Sequence, residues 1–169
     1  MKLIIITYDE STTYNDCYNR YKEMGYDPIK FMGLNAIKEN INKNHICYIN
    51  FKNCLKKYMN YDEDILISED DAYLLRKIDV ENKDEINWLG WWGRRSNAST
   101  LGTTLLYISK KKIHELLHKM DNHKPVHLDY YFNKYIDTII VPISYTKEIQ
   151  HHSIIYDGIR THKNSIKLN

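Results

Sequence analysis

The chain has 169 residues, a formal charge of +2, 43% hydrophobic and 27% charged side chains, a balance that suits one globular domain and excludes a disordered polymer. No apolar run approaches the ~20 residues of a transmembrane helix, so no integral membrane segment is expected. The charge is uneven, with net +3 over residues 1–60, −7 over 61–85 and +6 over 86–169, as for a solvated acidic surface or for a site that holds a cation beside a phosphate-bearing ligand.

Residues 3–7 are an aliphatic run that ends at Thr7 and Tyr8 before Asp9 and Glu10. It is too short for a signal peptide and reads as a buried parallel strand opening into a loop. Such strand ends are where open α/β sheets bind ligands. Residues 14–24 read as a helix stopped by Gly25 and Pro28. Residues 29–34 are a second strand. Residues 45–59 are a helix with Tyr48, Phe51, Leu55 and Tyr58 on one face. The central run Ile65, Leu66, Ile67, Ser68 then breaks into Glu69, Asp70 and Asp71.

Residues 87–90 and 103–109 are further strands, joined by a loop with Trp91, Trp92, Gly93, Arg94 and Arg95. Its indoles suit a mobile lid over a sugar or base, whereas Trp88 belongs to the core. Residues 110–120 form an amphipathic helix through Ile113, Leu116, Leu117 and Met120, and residues 127–136 another through Leu128, Tyr131, Phe132 and Tyr135, with Asp129 in its first turn. Residues 138–143 are a last strand before a polar tail with His151 and His152. Strands alternating with helices predict a single α/β layer domain over residues 1–169. Cys17, Cys47 and Cys54 show no disulfide framework or zinc spacing, which points to a reducing compartment, the cytoplasm.

Three consecutive carboxylates beyond a buried strand repel one another. A hard divalent cation, Mg²⁺ or Mn²⁺, relieves this with oxygen ligands and keeps positions open for phosphates; a solvent-facing acidic turn is the alternative. His152 is a candidate to complete the metal shell. Lys110, at a helix N-terminus, is a candidate for phosphate.

The stretch ILISEDDAYLL, residues 65–75, resembles the ILEDD segment of glycosyltransferase family 25, which holds the lipooligosaccharide galactosyltransferases and their collagen-modifying relatives. The helix before it, GTTLLYISKKKIHELL at 102–117, His127-Leu128-Asp129 and residues 150–154 are similar to later family elements in the same order. The resemblance implies a GT-A-like, Rossmann-type mixed sheet flanked by helices, a nucleotide-diphosphate sugar donor such as a UDP-sugar, and transfer to a hydroxyl with inversion. It makes Asp71 the principal metal ligand and has Glu69 or Asp70 contact the ribose or the metal through water. Asp129 matches the segment from which a general base is expected; alternatively it complements the helix dipole. Where the family has Ser-His, this chain has Asn50 and Phe51, so the acceptor side is expected to differ.

The donor is expected over Thr7, Tyr8 and residues 69–71, and the acceptor is a hydroxyl of a glycan, a protein or a modified DNA base. A non-catalytic binding module with the same fold is the alternative from another class. Many Lys, Asn, Ile and Tyr residues suggest an AT-rich genome such as a viral one, which would place the protein in the host cytoplasm.

Overall fold

The computed structural model describes residues 1–91, 93–95, 99–149, 151–152 and 159–160, with the side chains of 93–95, 99–101, 151–152 and 159–160 excepted. In chain order the elements are β1 (Lys2–Thr7), α1 (Tyr14–Glu23), β2 (Pro28–Met32), α2 (Ile46–Tyr58), β3 (Ile65–Glu69), β4 (Ala72–Leu74), β5 (Ile86–Gly90), β6 (Gly93–Arg95), β7 (Ser99–Leu101), β8 (Leu105–Ile108), α3 (Lys110–Asp121), α4 (Leu128–Tyr135), β9 (Ile139–Ile140), β10 (Thr146–Glu148), β11 (His151–His152) and β12 (Ile159–Arg160).

Among the described residues six strands form one sheet in the order β2-β1-β3-β8-β5-β9. β1 pairs parallel with β2 and β3, and β9 parallel with β5, while β8 runs antiparallel to both β3 and β5. The expected Rossmann-type mixed sheet flanked by helices is therefore the observed architecture. Two-residue alternation sends side chains to opposite faces. Ile4, Ile65, Ile67, Trp88, Leu106 and Ile108 pack with residues of α2, α3 and α4 in one core. Leu3, Ile5, Leu66, Leu89, Leu105 and Tyr107 pack with Tyr21 of α1 and Leu74 of β4 in the other. Burial on both faces is why β1 and β3 read as unbroken aliphatic runs.

Local signals explain the boundaries. Gly25, at φ +87°, ends α1; its N–H donates to Lys22 O at 2.9 Å and that of Tyr26 to Tyr21 O at 3.0 Å, a Schellman closure. The expected last strand shrinks to two residues, and residues 93–95 and 99–101, expected as open loop, pair as antiparallel strands β6 and β7. β4 pairs with β10 as a separate ribbon, Ala72 opposite Glu148, so the acidic motif leads from the main sheet straight into a second, short one.

Candidate functional site

Parallel pairing brings the C-terminal ends of β1, β2 and β3 to one edge of the sheet, and the antiparallel β8 starts at that edge, with Ser68 opposite Leu105. The Glu69 N–H donates to Thr104 O at 3.0 Å, and the Gly33 N–H to Thr7 O at 2.7 Å. Thr7, the acidic motif, the loop after β2 and the turn before β8 are thus tied into one backbone frame.

Within it Asp70 and Asp71 are buried and Glu69 is half-buried. The Thr7 hydroxyl donates to Asp70 Oδ2 at 2.7 Å. Burial and then the neighbouring Asp71 carboxylate push the Asp70 carboxyl up to about 6, against the pull of the Ser11 and Thr7 hydroxyls. Burial, Asp70, Asp71 and Glu10 push the Tyr8 phenol up to about 12. The Cys17 thiol of α1 is raised by its burial and by the same two aspartates. This edge therefore carries concentrated negative potential, and among the described residues no cation pairs with Asp70.

Two adjacent buried carboxylates are an oxygen-only donor set, which suits a hard divalent cation that takes one or two carboxylates and completes its shell with water and phosphate. Among the described residues no three His, Cys, Asp or Glu side chains are grouped to hold a metal ion. The side chain of His152, the expected further ligand, lies outside the described residues, as do Trp92, Gln150, Ser153, Ile154 and the side chains of Arg94 and Arg95.

Asp129, buried at the start of α4, accepts from the Gly102 N–H through Oδ2 and from the Thr103 N–H through Oδ1, both at 2.9 Å, and from the Thr103 hydroxyl. It borders the site, because Thr104 O is the acceptor for Glu69, yet its carboxylate already holds the turn entering β8. His127 Nδ1 stands 3.9 Å from Asp129 Oδ2.

Lys110 is misplaced by the phosphate expectation. Ile65 is opposite Ile108, so α3 begins at the far end of β3, where Lys110 Nζ pairs with Asp62 at 2.8 Å and its N–H meets Asp64 Oδ1 at 3.0 Å. Lys111 and Lys112 pair with Asp84 and Glu85 at that same end. The acidic block is thus divided: Asp62, Glu63, Asp84 and Glu85 form exposed ion pairs, while Asp70 and Asp71 lie buried at the site edge. Trp91 is no free lid, since its N–H donates to Ser144 Oγ at 2.9 Å and its indole Nε1 to Val141 O at 3.2 Å.

The family departure resolves into structure. Asn50 accepts from the Leu34 N–H at 2.8 Å and donates to Leu34 O at 3.0 Å, clamping the loop after β2, and Phe51 stacks edge-on against Phe132 at 5.4 Å in the core. Sequence reasoning also passed over Thr103 and Glu148. Glu148 is wholly buried, and the next residue, Ile149, donates its N–H to Asp71 O at 2.8 Å. Thr146 and Glu148 are buried on either side of exposed Lys147, but the polar sequence Thr-Lys-Glu carries no apolar alternation that would have marked it as a strand.

No family model and no curated protein matches the chain. Among solved structures it is similar to a glycosyltransferase involved in the glycosylation of the major capsid of PBCV-1, at 13% identity and a TM-score of 0.52, over 83% of this chain and 82% of that one. A galactosyltransferase, LgtC, in complex with donor and acceptor sugar analogs aligns at 11% identity and a TM-score of 0.48, over 83% of this chain and 73% of that one. At such identities the first likeness is one of fold.

Proposed function

We propose that the chain is a glycosyltransferase that moves a sugar from a nucleotide-diphosphate donor, a UDP-sugar, to a hydroxyl, with inversion. The observation that carries this reading is the pair of buried carboxylates, Asp70 and Asp71, set at a strand end against the Thr7 hydroxyl. The fold shared with the capsid glycosyltransferase and the order of family 25-like segments support it.

Asp71 and Asp70 would hold a Mn²⁺ or Mg²⁺ ion, which when bound offsets charge on the leaving diphosphate. Thr7 fixes one oxygen of Asp70, so that carboxylate enters binding already oriented. Tyr8 and Glu69, at the ends of neighbouring strands, border the space for the nucleoside. Held there, the donor's anomeric carbon is presented to a hydroxyl arriving from the β8 side of the edge.

Calorimetry with UDP and Mn²⁺ tests the reading. Binding by the wild-type chain and at least ~10-fold weaker binding by Asp71→Ala are expected, since outer partners of a metal alone change affinity ~10- to 100-fold; unchanged binding by the variant would refute the metal assignment. A thermal-shift screen of nucleotide sugars with Mn²⁺ identifies the donor, because a ligand at ~100 times its Kd stabilises the fold by ~2.7 kcal/mol. Release of free UDP in the presence of metal separates an enzyme from a binding module.

A further inference from the structure

A group that removes a proton during sugar transfer needs a lone pair open to the incoming hydroxyl. Asp129 is poorly placed for this. Its Oδ1 already takes both the N–H and the hydroxyl of Thr103, its Oδ2 takes the Gly102 N–H, and its side chain is only 12% exposed. Beside Oδ2 stands the imidazole of His127, with Nδ1 at 3.9 Å and the ring 44% exposed.

Resting on the sugar-transfer reading above, we propose that His127 is the general base and that Asp129 is its positioning residue. A buried carboxylate beside Nδ1 favours the tautomer that carries its hydrogen there, which leaves the Nε2 lone pair for substrate. The pair lies at the site edge, because Asp129 grips Thr103 and the following carbonyl, Thr104 O, binds the Glu69 N–H. It therefore stands one strand over from the carboxylates assigned to the donor, on the side from which an acceptor would come. His127 precedes α4 yet makes no side-chain capping hydrogen bond, so the helix gives it no structural employment.

In the step, the acceptor oxygen forms a bond to the anomeric carbon while the bond from that carbon to the diphosphate breaks and its electron pair leaves with the nucleoside diphosphate. The hydroxyl proton passes to His127 Nε2. The resulting imidazolium then releases the proton to solvent. Water can act as the acceptor in the same way.

The test follows UDP release from UDP-glucose, UDP-galactose and UDP-N-acetylglucosamine with Mn²⁺, for the wild type, His127→Ala and His127→Gln. Because the ring is exposed and caps nothing, both variants should fold, as circular dichroism would verify. Release is expected to fall ~10²-fold or more in both, with UDP binding unchanged in calorimetry and part of the His127→Ala rate restored by added imidazole. A near-wild-type rate in either variant, or a loss that imidazole leaves unrestored, overturns the assignment alone. A wild-type chain that neither binds UDP nor releases it from these donors overturns the sugar-transfer reading, and this assignment with it.

Discussion

Asp70 keeps its proton to about pH 6, against an ordinary value of 3.8, because burial and a neighbouring carboxylate both oppose its charge. The folded chain therefore binds this proton more tightly than the unfolded one. Stability from this group is full below about 3.8 and is lost as pH rises through about 6. Asp70→Asn removes the repulsion and can still accept from Thr7. It should match the wild type in melting temperature near pH 4 and exceed it at pH 8 by on the order of 2 kcal/mol, or ~4–8 °C, while weakening metal-dependent UDP binding. Melting curves across that range check the sign, and a variant less stable than the wild type at pH 8 would contradict it. At this scale the acidic trio was legible in the sequence because a rigid aliphatic run fixes where it stands. The clamps made by Asn50 and Asp129 were not, since their partners, Leu34 and Gly102 with Thr103, are joined to them only by the folded backbone.

Elements succeeded where their periodicity was undiluted. The four helices and the main strands fall within a few residues of the expected limits, since each carries an apolar face or a run buried on both sides. The β4–β10 ribbon was missed because strands of three residues present too little alternation to be separated from a turn. That ribbon meets the main sheet at Gly90, where a Cβ would approach Thr146 Oγ1 at 2.4 Å, Leu105 Cβ at 2.6 Å and Thr104 Oγ1 at 2.6 Å. The two threonine hydroxyls, 2.8 Å apart, are hydrogen-bonded across the same point. Gly90→Ala is expected to destabilise by about 1–3 kcal/mol through overpacking, read as a lower denaturant midpoint. An unchanged midpoint would mean that the junction yields without strain.

Across the whole molecule, the order of the sheet was beyond local sequence, because pairing β8 between β3 and β5 depends on which faces the helices cover. Phe132 shows how that cover is joined. Its ring meets Phe51 of α2 edge-on at 5.4 Å and Trp88 of β5 at 6.0 Å, so one side chain of α4 ties another helix to the sheet. Phe132→Ala should destabilise by ~3–5 kcal/mol, measured by urea unfolding, and a loss below ~1 kcal/mol would show that the layer collapses onto the gap. The charge profile was informative only after folding divided it: Asp62, Glu63, Asp84 and Glu85 face lysines at the remote end of the sheet, where exposed ion pairs add little.

The reversed direction of β8 has an evolutionary corollary. A wholly parallel sheet offers the ligand edge only segments that leave strands, whereas here a segment that enters one arrives as well. The half proposed to face the nucleotide, built from the segments that leave β1 and β3, and the half that precedes β8 can consequently diversify by separate insertions. A lineage with this architecture could exchange the recipient of its chemistry while retaining the same activated precursor.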